Sequence, residues 1–145
     1  MRVVVQRSLK SSVSVDNKVV NSMDKGLMLL VGINVEDTSK DIDWMVNKVL
    51  NLRIFDDENG VMNKSILDVG GEILSISQFT LQAETKKGNR PSYINAMKGE
   101  EANKLYEEFN SKLNEHIKTY PGVFGADMLI DIQNDGPTTI ILDSK

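Results

Sequence analysis

Cysteine is absent from these 145 residues, and histidine occurs once, as His116. Without cysteine there is no disulfide, no thiolate nucleophile and no cysteine-ligated metal. A zinc site needs several converging ligands, which a single histidine does not begin to supply. His116 lies in "FNSKLNEHIK", near the end of what reads as a surface helix, where a partial positive charge suits the helix dipole. If the chain is an enzyme, the expectation is one with no metal, no cofactor and no histidine base.

Other things are scarce. Proline occurs three times, aromatic residues make up 6%, and no apolar run approaches the roughly 20 residues that span a bilayer. The start, "MRVVVQRS", has neither a long apolar stretch nor a small-residue cleavage site. A cytoplasmic protein with no membrane partner is expected. The net charge of −4 leaves no general footprint for nucleic acid, although a local patch can still bind it. Two patches exist, Arg2 with Arg7 and Lys10, and Lys86 with Lys87 and Arg90. Each reads equally as solubilising charge or as a phosphate contact.

What is present is ordinary for a soluble globular protein: 40% hydrophobic and 26% charged residues, in a length that suits one domain over 1–145. Residues 2–6 and 13–20 read as strands, the second from the period-two alternation of "SVSV". "LMLLVGI", 27–33, is continuously apolar and reads as a strand buried on both faces. Ile42, Met45, Val46, Val49 and Leu50 form a helical stripe behind a capping box at Thr38 and Asp41. "EILSISQFTL", 72–81, reads as the next strand, and a second helix runs from about 99 to 118 until "YPG" stops it. "VFGADMLIDIQN" and "TTIIL" read as closing strands. This order predicts an α+β domain with two main helices and a mostly antiparallel, β-barrel-like sheet.

Four segments carry candidate chemistry. "SQFTL" sets Ser77, Gln78 and Thr80 at the end of an apolar strand. It reads either as an edge meeting solvent or as a corner where freed N–H groups, an amide and a hydroxyl polarise a carbonyl. "KGNRPSY" holds Arg90 extended before Pro91, a plain charged loop or a phosphate contact. "PGVFGADM" places Phe124 beside Gly125 and Ala126, a core phenylalanine or an aromatic face for a base. "NDGPTT" breaks a strand with a Gly-Pro pair, a trans turn on base rate, and X-Pro is the one bond type commonly found cis.

In this order, and with "MRVVVQR" and "GLMLLVGI" ahead of them, these segments closely resemble the D-aminoacyl-tRNA deacylase family over nearly the whole chain. Thr138 stands where the family's pattern has valine, and Tyr93 where it has phenylalanine. The resemblance implies a homodimer of a β-barrel-like α+β fold that hydrolyses the ester of D-aminoacyl-tRNA, with glycyl-tRNA also accepted. It implies a cis Gly136-Pro137 bond, inserted into the partner subunit's site, that rejects L-residues. It assigns Ser77, Gln78, Phe79 and Thr80 to catalysis, with Gln78 and the Phe79 N–H on the ester carbonyl and the terminal ribose 2′-OH assisting. Phe124, Gly125, Ala126 and Met128 would hold the terminal adenosine, and Lys87 and Arg90 would meet phosphate. Arg7, Asn134 and Thr139 would support the gate. Thr80 lacks a histidine base, and a lysine base from Lys86 or Lys87 would need burial, so a positioning hydroxyl is expected. Two other readings remain: a non-catalytic tRNA- or nucleotide-binding module of the same fold, and a metal-dependent hydrolase. DNA is not an expected partner.

Overall fold

The computed structural model describes residues 1–145. In chain order its elements are β1 (Arg2–Val15), β2 (Lys18–Met23), β3 (Gly26–Gly32), α1 (Ser39–Asn51), β4 (Phe55–Asp56), β5 (Met62–Lys64), α2 (Ile66–Val69), β6 (Glu72–Ser77), a 3₁₀ turn (Phe79–Gln82), α3 (Gly99–Asn114), β7 (Thr119–Pro121) and β8 (Leu129–Asp143). The long β1 organises the sheet. Its first half pairs with β3, its second half with β2, and its other edge with β8 along almost its whole length, all antiparallel. β3 then pairs with β6, and β6 with β7, in parallel. The sheet curls into a nearly closed barrel. The expected α+β class and largely antiparallel sheet hold. However, α1 and α3 are crossovers joining parallel strands, β3 to β6 and β6 to β7, a role the element order had not revealed.

The reason "LMLLVGI" shows no alternation is visible in its surroundings. Leu27, Leu29 and Val31 pack with the α1 and α3 stripes, while Met28 faces Val13, Leu74 and Ile76 on the other side. Both faces are covered, so both must be apolar. Ile42, Met45 and Val49 of α1 and Phe109 and Leu113 of α3 are fully buried. Each such side chain contributes about 1.5–3 kcal/mol by leaving water.

Four expectations are corrected. The strand read over 13–20 is a hairpin: Asp16 and Asn17 have φ of 51° and 64°, the two-residue turn that matches strand twist. The second helix ends at Asn114, not 118, because the Asn114 side chain accepts the Thr119 N–H at 3.0 Å and the chain re-enters the sheet as β7. A third, short helix, α2, joins the two main ones, capped reciprocally by Ser65 and Asp68. Residues 123–128 hold one turn, closed by Ala126 N–H on Val123 O at 3.2 Å, and no strand, so the closing strand starts only at Leu129.

The capping box at α1 forms as read: Thr38 N–H donates to Asp41 Oδ2 at 2.9 Å and Lys40 N–H to Thr38 Oγ1 at 3.3 Å. Asp41 also accepts from Ser144 Oγ at 2.8 Å and lies 3.3 Å from Lys145 Nζ. Burial pushes the Asp41 carboxyl up, but the Thr38 N–H, Ser144 and Lys145 outweigh it and bring the pKa to about 2. A carboxyl depressed on folding stabilises above its unfolded pKa and loses that contribution as pH falls through the folded one. Urea unfolding of the protein should therefore lose about 2 kcal/mol between about pH 4 and pH 2 that an Asp41→Asn variant does not lose.

Candidate active site

β6 delivers Ser77 to the barrel rim, and the last rung of its ladder on β3 is Gln78 N–H donating to Val31 O at 2.7 Å. The chain then tightens into the 3₁₀ turn over the end of β3, where Gln82 Nε2 donates to Gly32 O at 2.9 Å. Gly32 permits this approach: a Cβ there would lie 2.8 Å from Leu81 Cβ and 3.0 Å from Gln78 O. The strand expected to run through Leu81 thus ends at Ser77. Consecutive residues Ser77, Gln78 and Phe79 line one cavity, which the alternation of a strand would forbid. The Phe79 and Thr80 N–H groups open the turn and have no acceptor within it. Gln78 Nε2 donates to Thr80 Oγ1, so amide and hydroxyl hold each other in place.

That cavity, about 420 Å³, has Ile76, Phe124, Met128 and Ile130 as its apolar walls, with Gly125 and Ala126 between them. Phe124 satisfies both readings at once, packing 5.9 Å from the Tyr106 ring and lining the cavity. Tyr106 is fixed by its hydroxyl, which donates to Ser75 O at 2.7 Å; burial pushes its phenol pKa up, so it stays a donor. Gly122 makes room for Met128, since a Cβ would sit 2.7 Å from Met128 Sδ. Gly125 is required for a different reason from Gly122. Nothing lies within 4 Å of a Cβ there, and its φ of +79° requires glycine for conformation rather than space.

Sequence reasoning missed Met97, Lys98, Gly99 and Asp127, which complete the lining. Lys98 carried one signal: it occupies the N-cap of α3 with no side-chain cap, where Ser, Thr, Asp or Asn is preferred and the dipole opposes a cation. Lys87 and Arg90 are exposed on the loop closed by the Glu84–Ser92 bridge and do not line the cavity. Tyr93, at the base of that loop, meets Phe79 edge-on at 5.0 Å and 74°. Phe79 is half exposed. No three carboxylate or histidine side chains converge anywhere in the molecule.

Gly136 and Pro137 lie elsewhere. Gln6 pairs with Thr139 and Ser8 with Asn134, so Arg7 alone opposes the four residues Asp135 to Thr138, which bulge from β8. The Gly136-Pro137 bond is cis, and both residues are exposed. Asn134 Nδ2 ties the bulge shut by donating to Arg7 O at 3.0 Å and Thr138 O at 3.1 Å, while its Oδ1 accepts from Gln6 Nε2 at 2.9 Å. Thr139 Oγ1 donates to Pro137 O at 3.1 Å. Arg7 is largely buried, donating Nη1 to Ile54 O at 2.8 Å with Nε 3.2 Å from Asp135 Oδ2. The bulge does not contribute to its own chain's cavity. Beside it, β8 is an edge strand of 15 residues, paired on one side only, that exposes Leu129, Ile132 and Ile141.

The sequence matches the family described as D-Tyr-tRNA(Tyr) deacylase over residues 4–143. It is 58% identical to a D-aminoacyl-tRNA deacylase of Clostridium perfringens and 54% identical to one of Flavobacterium psychrophilum, each match covering 100% of this chain and 98% of the relative. A solved structure titled c-Myc DNA Unwinding Element Binding Protein aligns with a TM-score of 0.95 at 44% identity, covering 100% of this chain and 99% of the other. A probable eukaryotic D-amino acid tRNA deacylase aligns with a TM-score of 0.83 at 18% identity over 97% of each chain, a likeness of fold.

Proposed function

Since the chain belongs to the D-Tyr-tRNA(Tyr) deacylase family, we propose that its cavity takes the aminoacylated 3′ end of tRNA and that a second copy of the chain supplies the chiral gate. The activity is that of a D-aminoacyl-tRNA deacylase, a hydrolase that cleaves the ester between a D-amino acid and tRNA. The observation that carries the assignment of the site is the union of Ser77, Gln78 and Phe79 with Phe124 to Met128 around one cavity. The adenine lies against Phe124 and Met128, which brings the ester to the 3₁₀ turn. Water attacks the ester carbonyl, and the developing oxyanion accepts from the Phe79 N–H and the Gln78 amide. Donors already fixed in place need no reorganisation as the charge appears.

Thr80 orients Gln78. A nucleophilic threonine needs a base within hydrogen-bond reach, and the partner its hydroxyl has is the Gln78 amide, which takes no proton. The 2′-OH of the terminal ribose directs the water, which suits RNA and leaves DNA without the assisting group. No metal or cofactor is required.

The gate is the bulge at Gly136 and Pro137. Its exposure outside its own cavity and its support by Asn134, Thr139 and Arg7 favour its entry into a partner's. The unpaired edge and exposed apolar residues of β8 support a homodimer formed close by. A substrate whose α-ammonium meets the gate carbonyls keeps a D-side chain pointing away and drives an L-side chain into them. Selection then works by excluding the wrong hand, and glycine passes. Lys87 and Arg90 meet tRNA phosphates farther out. With a net charge of −4, few phosphates are neutralised and the salt slope is shallow. No helix is long and apolar enough to cross a membrane, and we place the enzyme in the cytoplasm with its tRNA substrates.

Matched D-tyrosyl- and L-tyrosyl-tRNA, incubated with the protein and EDTA, test this. Loss of the D-ester alone is expected. Cleavage of both would remove the gate, and cleavage of neither would leave tRNA binding as the function.

A further inference from the structure

We infer that the penultimate nucleotide of the tRNA acceptor end has its own subsite, with its base in a groove beside the active cavity and the phosphate between the two nucleotides on Lys98. The inference rests on the proposed function, because it extends the path of the same RNA strand.

A groove of about 370 Å³ adjoins the cavity, and Met97 and Lys98 line both. Its other walls include Val35, Tyr93 and Ile94. Ile94 is 78% exposed and Val35 51%, an apolar surface left open to solvent beside an aromatic ring. Single-stranded RNA is bound on such surfaces, by stacking of unpaired bases with cationic groups tracking the backbone. The spacing of the chemistry fits. A nucleoside in the cavity is joined to its 5′ neighbour by one phosphate, and the wall shared by cavity and groove carries Lys98, the only cation lining either. The Lys98 ammonium is exposed and joins none of the molecule's ion pairs. Its place at the start of α3 gains nothing from local helix energetics. The groove's carboxylate, Glu101, is suited to accept from an amino-bearing base such as cytosine. Lys87 and Arg90 line neither space.

The test compares hydrolysis of D-tyrosyl-adenosine with that of D-tyrosyl-cytidylyl-adenosine, the same ester carrying one more nucleotide, by the wild-type protein and by Lys98→Ala and Lys98→Arg. The expected result is a kcat/KM about tenfold higher for the dinucleotide, expressed in KM, equivalent to about 1.4 kcal/mol. Lys98→Ala should bring the ratio of the two substrates close to one, and Lys98→Arg should keep most of it. Equal rates for the two substrates in the wild type, or a ratio untouched by Lys98→Ala, would overturn the subsite and leave the hydrolase standing. Hydrolysis of neither substrate would overturn the function and the subsite together.

Discussion

Gln78→Ala should lower kcat by about 10²–10³-fold with little change in KM, the loss that follows removal of one oxyanion donor. The amide is in position before substrate arrives, its Nε2 held on Thr80 Oγ1 and its backbone N–H on Val31 O. The substrate carbonyl is weakly charged and gains little from it; the tetrahedral oxygen is strongly charged and gains much. An interaction that strengthens only along the reaction path appears in kcat. Thr80→Ala should cost less, because the hydroxyl acts through Gln78 and the Phe79 N–H remains. Single-turnover deacylation of D-tyrosyl-tRNA measures both. A Thr80→Ala loss larger than that of Gln78→Ala, with binding intact, would make Thr80 the nucleophile and our assignment wrong.

Gly26→Ala should cost more than about 4 kcal/mol, beyond the range of ordinary substitutions. Gly26 has a φ of +151°, and a Cβ there would lie 1.8 Å from the Glu72 carbonyl oxygen and 2.6 Å from its nitrogen. Neither neighbour can give way. β3 is the central strand, bonded to β1 on one side and β6 on the other, and Gly26 pairs with Ser8 and Glu72 at once. Forcing β3 and β6 apart also shifts Ser77 and the turn that follows. Gly60→Ala is the comparison. Its φ of +75° makes alanine unfavourable, but nothing lies within 4 Å of a Cβ, so about 1 kcal/mol is expected from conformation alone. Urea unfolding of the two variants checks the contrast, and similar costs would contradict the register of β3 on β6.

Features set by local chemistry were legible. Thr38 and Asp41 announce a helix start because both partners sit within four residues, and the unbroken apolar run of β3 announces a strand with two covered faces. The hairpin at Asp16 and Asn17 was hidden because Val13, Val15, Val19 and Val20 carry an apolar pattern across it. The turn at Phe79–Gln82 was hidden for a related reason: Phe79 and Leu81 continue the period of β6. What ends that strand is the turn seated on Gly32, through the bond from Gln82 Nε2 to Gly32 O and the small size of that glycine, which is distant in sequence. Ser65–Val69 is too short for a helical period to show. Met97, Lys98 and Asp127 reach the cavity only through tertiary folding. The break in β8 was plain from Gly136 and Pro137, but its form was not, because four residues opposing Arg7 is a property of the pairing between two strands.

The central claim is that each active site is completed by the other subunit. Complementation tests it directly, using Gln78→Ala, which damages the cavity, and Gly136→Ala, which damages the gate. At Gly136 a Cβ would lie 2.6 Å from Thr138 Oγ1 and 3.0 Å from Arg7 Nη2, at a φ of +116° that alanine rarely adopts. Each variant alone should hydrolyse D-tyrosyl-tRNA poorly. Co-refolded in equal amounts, half the dimers of a two-fold assembly are mixed, and each mixed dimer holds one intact cavity facing one intact gate. Recovery of about a quarter of wild-type activity is the predicted result. Mixtures no more active than the average of the two variants would contradict the account and place cavity and gate in the same chain.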